Sequence, residues 1–181
     1  MDRDASNGGN LFLAAVPDAV TADRIVRLAR VLKRAHGFSG KLTARERLHM
    51  SLLFLGGLPD DVISEASAAL ARVRLPSFEA VFDRSVSFRG GPRGRPFVLI
   101  GDEGPTGLKT LRQMLGAAVA PIGLRRRASM PFTPHVTLLY DARVADEYPV
   151  FDPICWRVKE FVLVHSRNGH THLHRWPLRA G

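Results

Sequence analysis

Two short segments of the chain carry the same arrangement of reactive side chains. Leu48-His49-Met50-Ser51-Leu52-Leu53 and Pro134-His135-Val136-Thr137-Leu138-Leu139 each set a histidine two residues before a hydroxyl side chain, with leucines following. Each run reads as a β-strand, and residues two apart on a strand share a face about 6.6 Å apart. Each segment therefore presents an imidazole beside a hydroxyl. Imidazole titrates near 6.5, so near neutral pH one ring can be neutral and take a proton while the other, protonated, gives one up. Ser51 and Thr137 can donate hydrogen bonds to oxygens that gain negative charge. Facing each other, the two segments hold the equipment for moving protons around a phosphate, with no metal ion and no cofactor required. A lone copy would be read as a strand histidine with a local hydrogen bond; the duplication points to catalysis.

The pattern around the segments predicts what must position them. Leu11–Val16 is an apolar strand ended by Pro17, and Thr21 is an N-cap candidate for a helix over Ala22–Ala35 that ends at Gly37 and Gly40. Leu48–Leu55 forms the first histidine strand. A helix over Asp60–Val73 follows, with an acidic first turn as the helix dipole prefers. Phe78–Phe88 and Phe97–Ile100 read as a hairpin around the Gly- and Arg-rich turn 89–96. Thr106–Ala120 is a third helix, Thr133–Tyr140 the second histidine strand, and Trp156–Ser166 and His172–Leu178 two closing strands joined at Asn168-Gly169. This is an α+β order with a loose internal duplication, one histidine strand per half. Two antiparallel half-sheets around a central cleft, helices outside, would bring the two motifs together. Residues 1–10 read as a flexible tail and 11–181 as one domain.

Composition narrows the partners. The 181 residues carry a formal net charge of +9, which favours polyanions, nucleic acid first and an anionic membrane second. The single cysteine, Cys155, excludes an intramolecular disulfide and a thiolate metal site, and its apolar neighbours suit an inert thiol. There is neither a membrane-length apolar run nor a signal-peptide core, so the cytoplasm is the expected compartment. Arg89, Arg93 and Arg95 share one loop and Arg125, Arg126 and Arg127 run together ahead of the second motif; as a set they suit RNA phosphates. Phe88 and Phe132 read as core residues that could also stack on a base. His170, His172 and His174 would share a strand face, but no carboxylate or cysteine nearby completes a metal site, and an exposed histidine face is the simpler reading.

On these residues the chain resembles the two-histidine phosphoesterase superfamily, and within it the RNA 2′,3′-cyclic phosphodiesterases, also called 2′-5′ RNA ligases. The resemblance extends beyond the motifs to the opening strand Leu11–Pro17, the trailing Phe54-Leu55-Gly56, the run Phe132–Leu138 and the closing Trp156–Ser166 with Trp176-Pro177-Leu178. It implies a bilobal fold with pseudo-twofold symmetry and a cleft lined by His49, Ser51, His135 and Thr137, with the histidines catalytic and the hydroxyls phosphate-binding. It implies hydrolysis of RNA 2′,3′-cyclic phosphate ends to 2′-phosphates and, in reverse, 2′-5′ ligation. RNA carrying such an end, tRNA fragments included, is the implied partner of a monomeric enzyme. Many relatives have an arginine near position 140, where this chain has Tyr140. Arg127 and Arg45 are candidate substitutes, or Tyr140 stacks on a base. Two other readings share the fold: an inactive RNA- or nucleotide-binding module, and a phosphodiesterase for a small nucleotide. Which histidine is acid and which is base stays open at this level.

Overall fold

The structure is a computed structural model that describes residues 9–90, 94–101, 107–125 and 129–180. Arg93, Arg126, Arg127 and residues 1–8 of the expected tail lie outside the described residues. The elements run β1 (Asn10–Ala15), α1 (Ala19–Ala35), β2 (Met50–Gly56), α2 (Asp60–Leu70), β3 (Phe78–Ser87), β4 (Arg95–Ile100), α3 (Gly107–Val119), β5 (His135–Asp141), β6 (Tyr148–Val158), β7 (Glu160–Ser166) and β8 (His170–Pro177). All strand pairings are antiparallel, in the order β6-β3-β4-β5-β2-β1-β7-β8. Asn10, expected in the tail, opens β1.

The sheet is two four-stranded halves that touch at one point. β2 and β5 share a single register pair, Met50↔Val136. The expected half-sheets and α+β class are thus found, but the halves are not the two halves of the sequence. The hairpin β7-β8 completes the half built on β1 and β2, and β3 and β6 complete the half built on β4 and β5. The duplicated unit is strand–helix–histidine strand: β1-α1-β2 and β4-α3-β5. One core lies between the sheet and the helices, with Leu13, Ile25, Leu52, Leu53, Phe82, Phe97, Leu111 and Phe161 fully buried. A small second cluster of Phe12, Ala14, Val162 and Val164 occupies the opposite face of β1 and β7, which is why β1 reads as an unbroken apolar run.

Three expectations are corrected. Helix α1 begins at Ala19, capped by Asp18, whose Oδ1 accepts the Thr21 N–H at 2.9 Å; Thr21 lies inside the helix. Trp156 belongs to a separate strand, β6, which pairs with β3; Pro149 and Pro153 hid it, and they are tolerated because β6 is a sheet edge. The three histidines of β8 do not share a face. A register shift between Leu163 and Val164 leaves Leu173 as an extra residue: His170 packs on Phe12, while His174 stacks on Trp176 against the main core.

Where β2 and β5 splay apart after their single contact, their facing backbone groups need other partners. On β5 the Leu138 carbonyl accepts the Thr43 N–H at 2.7 Å, and Leu42 bridges Leu139. On β2 the equivalent Leu52 carbonyl accepts from the Arg112 guanidinium, which also donates to the Met130 carbonyl at 2.7 Å and lies 4.8 Å from the Phe132 ring centre. Arg112 of α3 therefore ties the first histidine strand to the loop that leads into the second. Arg112→Ala should lower unfolding stability by about 1–3 kcal/mol, the cost of a stranded carbonyl and a lost charged donor. Urea unfolding checks this, and an unchanged midpoint would contradict the tie.

Candidate active site

A β-bulge directly follows each hydroxyl residue. Along β2, Ala14 pairs with Ser51 and Leu13 with Leu53, so Leu52 is an extra residue. Along β5, Val98 pairs with Thr137 and Phe97 with Leu139, so Leu138 is extra. The two bulges fall at equivalent places in the two motifs. Each sends two successive leucines into the core and returns the next side chain to the other face. Simple alternation would carry the cleft face from Ser51 to Leu53; the bulge carries it to Phe54, and likewise from Thr137 to Tyr140. His49 itself stands one residue ahead of β2, after a single 3₁₀ turn at Arg45–Arg47.

His49, Ser51, Phe54, His135, Thr137 and Tyr140 line one cleft of about 490 Å³, with Phe12, Lys41, Thr43, Arg47 and His170 also on its wall. Antiparallel strands run partners in opposite directions. Extending the Met50↔Val136 pair by one residue each way sets His49 across from Thr137 and Ser51 across from His135. The two imidazole–hydroxyl pairs are thus crossed around the contact of the two halves.

Both histidines are held in the same way. Nδ1 of His49 is 2.7 Å from the Arg47 carbonyl, and Nδ1 of His135 is 2.7 Å from the Thr133 carbonyl. A carbonyl only accepts, so Nδ1 carries the proton and Nε2 of a neutral ring is the free base. Nε2 of His49 stands 3.1 Å from Ser51 Oγ. The rings differ in their neighbours. His49 has Phe12 at 4.9 Å and His170 edge-on at 4.9 Å, whereas His135 has Phe88 at 5.1 Å. Burial lowers the His49 pKa, and the charges of His135, Arg47 and His172 act in the same direction against the Arg47 hydrogen bond. Burial, then the neighbouring His49, takes His170 down to about 4. At neutral pH His170 is an uncharged ring, packed on both Phe12 and His49.

The basic residues divide. Arg45 does not supply the cleft's cation: its Nε donates to Asp23 Oδ1 at 2.5 Å and it lines a neighbouring cavity. Arg89 and Arg95 are exposed at the β3-β4 turn and are not among the lining residues, and Arg125 borders a separate groove with Arg112 and Phe132. Phe88 does reach the site, through its contact with His135. Sequence reading missed Phe12, Lys41, Thr43, Arg47 and Phe54. Of these only Phe54 carried a signal, because aligning the motifs as His-x-hydroxyl-Leu-Leu-aromatic sets it against Tyr140. Among the described residues no three His, Cys, Asp or Glu side chains gather into a metal-ion site. Cys155 is outside the lining, its thiol pKa raised by burial.

One wall of the cleft, residues 41–44, is fixed by Asp141. The carboxylate accepts main-chain N–H groups from Arg143 at 2.8 Å, Gly40 at 2.6 Å and Ser39 at 2.7 Å, and these bonds hold its pKa down to about 2. Position 40 needs glycine, because a Cβ there would collide with the Tyr140 carbonyl. A carboxylate with a depressed pKa stabilises the fold above its ordinary value near 3.8 and loses that effect as pH falls toward 2. Asp141→Asn should therefore lower the urea midpoint at neutral pH, and the gap to the wild type should close between about pH 4 and pH 2. A gap that persisted at pH 2 would show that charge is not what holds the wall.

Known proteins share the sequence pattern and the fold. The family model of the 2′-5′ RNA ligase superfamily matches residues 16–170. The RNA 2′,3′-cyclic phosphodiesterase of Escherichia coli (strain K12) is 33% identical over 147 residues, spanning 77% of this chain and 81% of that protein. Among solved structures, LigT of E. coli complexed with 3′-AMP superposes with a TM-score of 0.78 at 28% identity, covering 94% of this chain and 98% of that one. A phosphoesterase crystal structure gives a TM-score of 0.79 at 27% identity, with 95% and 99% covered. TT0787 of Thermus thermophilus gives 0.75 at 25%, with 94% and 98% covered.

Proposed function

The chain belongs to the 2′-5′ RNA ligase superfamily, and from that footing we propose that it opens 2′,3′-cyclic phosphates at RNA ends to leave 2′-phosphates. The observation that carries the reading is the matched pair of histidines. Each has its Nδ1 proton on a carbonyl two residues upstream, which leaves Nε2 as the basic nitrogen of the neutral ring, and both rings line one cleft. The E. coli relative named for this activity shares a third of its aligned residues with the chain.

His49 is the base and His135 the acid. Burial and the surrounding positive charges keep His49 neutral, so its Nε2 takes a proton from water as the oxygen adds to phosphorus. The bond from phosphorus to the 3′-oxygen breaks, and His135, as the acid, delivers a proton to that oxygen. The histidines finish with exchanged protonation states and reset through solvent. The Ser51 and Thr137 hydroxyls donate to the non-bridging phosphate oxygens as charge moves onto them, with Arg47 and Lys41 at the rim adding positive potential. The same forward steps, with an RNA 5′-hydroxyl in place of water as the group that adds to phosphorus and gives its proton to His49, give a 2′-5′ linkage and a free 3′-hydroxyl. The net charge of +9 favours RNA over a small nucleotide as the substrate. We read the protein as a single 11–181 domain that works as a monomer in the cytoplasm, on RNA ends that include tRNA fragments.

Incubation with an oligoribonucleotide ending in a 2′,3′-cyclic phosphate should give the 2′-phosphate isomer, with turnover retained in EDTA. A 3′-phosphate product would reverse the regiochemistry. His49→Ala and His135→Ala should each cut kcat/KM by about 10²–10⁴ at unchanged Tm. A fully active His135→Ala protein would end the proposal. Acid protonates the His49 base, so activity should fall with decreasing pH around a midpoint below the ordinary imidazole value of 6.5. A midpoint above 6.5 would contradict the assignment of His49 as base.

A further inference from the structure

A terminal 2′,3′-cyclic phosphate has polymer on one side only, so an RNA substrate leaves the cleft as a single strand running toward its 5′ end. The surface next to the cleft has the chemistry for that strand. Residues 41–44 line the catalytic cleft on one side and, on the other, a second cavity of about 540 Å³ against α1. Arg27 and Arg30 border this cavity, three residues apart and so on one face of the helix. Both are exposed, and neither they nor Lys41 forms an ion pair among the described residues. The cavity's one carboxylate, Asp23, is taken up by Arg45, which leaves a surplus of three positive charges. Val26, Leu42 and Ala44 add apolar surface on which a base or ribose can rest. The dividing segment is pinned to β5 through Thr43 and Leu42 and so gives the strand a fixed edge to cross.

We propose that this cavity is a second subsite, which takes the phosphates of the RNA strand upstream of the reacting end: the strand passes over residues 41–44 and lays its backbone against Arg27 and Arg30. The inference rests on reading the cleft as a site for RNA ends and adds where the rest of the substrate lies. The subsite is sequence-independent, because guanidinium groups meet phosphates and not base edges.

The test compares wild type with Arg27→Glu/Arg30→Glu, leaving Lys41 intact because it also lines the cleft. Two measurements are made: fluorescence-anisotropy binding of an oligouridylate about ten nucleotides long that ends in a 2′-phosphate, and turnover of uridine 2′,3′-cyclic phosphate against the same oligomer with a cyclic end. Charge reversal should weaken oligomer binding about ten-fold or more near 0.1 M salt and reduce the slope of log affinity against log salt by about 1.4, the value for two phosphates on a single strand. It should raise KM for the oligomer while leaving its kcat and the mononucleotide turnover within about two-fold. Arg27→Lys/Arg30→Lys should keep most of the oligomer affinity. Unchanged oligomer affinity, or equal losses on both substrates, overturns the inference. So does release of the variant from phosphatidylserine vesicles with RNA affinity intact, which would make the face a membrane surface. Wild-type binding that falls on charge reversal, with no turnover of either cyclic phosphate, would remove the phosphodiesterase reading and leave the subsite standing.

Discussion

The structure turns on one backbone pairing, Met50 with Val136. It is the place where the two half-sheets meet, and each histidine stands immediately before a member of that pair. A longer ladder between β2 and β5 would flatten the join and close the space between the strands. With no pairing the two imidazoles would have no fixed relation. One pair lets the strands cross and then diverge, and the divergence is the cleft. The cost falls on the backbone groups that face each other across the gap. They are satisfied from two different sources, the Thr43 amide on one side and the Arg112 guanidinium on the other, at the same residue of each motif.

The site is symmetric in its parts and asymmetric in its surroundings. Both histidines use the same carbonyl device and both strands use the same bulge. What separates them is what lies against the rings. His49 is enclosed by Phe12 and His170, and positive charge from Arg47 reaches it; His135 meets Phe88. Desolvation and like charge both favour the neutral form of an imidazole. A duplicated fold thereby sets two like imidazole–hydroxyl pairs in unlike surroundings. His170 is part of this arrangement, since a ring that stays neutral can lie beside His49 without adding a further charge.

The four central residues were legible in the sequence because a strand's alternation is short-range, and His-x-Ser and His-x-Thr each span only three residues. The duplication then made a chance reading of either one hard to sustain. Legibility stopped at Leu52 and Leu138. Paired leucines read as a buried run whether or not the strand bulges, so the return of Phe54 and Tyr140 to the cleft could not be seen from either motif alone. Arg45 was indistinguishable from Arg47 in sequence, since only the approach of Asp23 on α1 decides which arginine is occupied. Strand β6 was hidden by prolines that a central strand would reject and an edge strand accepts. The line between the two half-sheets was misplaced because exchange of the closing hairpin is a matter of long-range pairing, to which local pattern is blind.

That exchange has a consequence for the order of events during synthesis. Strand β1 is made well before β7, yet the two are neighbours in the sheet. Until β7 and β8 emerge, β1 keeps an open edge and the apolar side chains Phe12 and Ala14 lack their partners Val162 and Val164. His49 lacks His170 over the same interval. Loop closure over such a separation is slow compared with local hairpins, so the β3-β4 hairpin can form well before the first half-sheet is whole. A nascent chain therefore carries both histidines before it carries the wall that surrounds them. Phe12 can lie against the His49 ring early, but the His170 side of that enclosure arrives only with the closing hairpin.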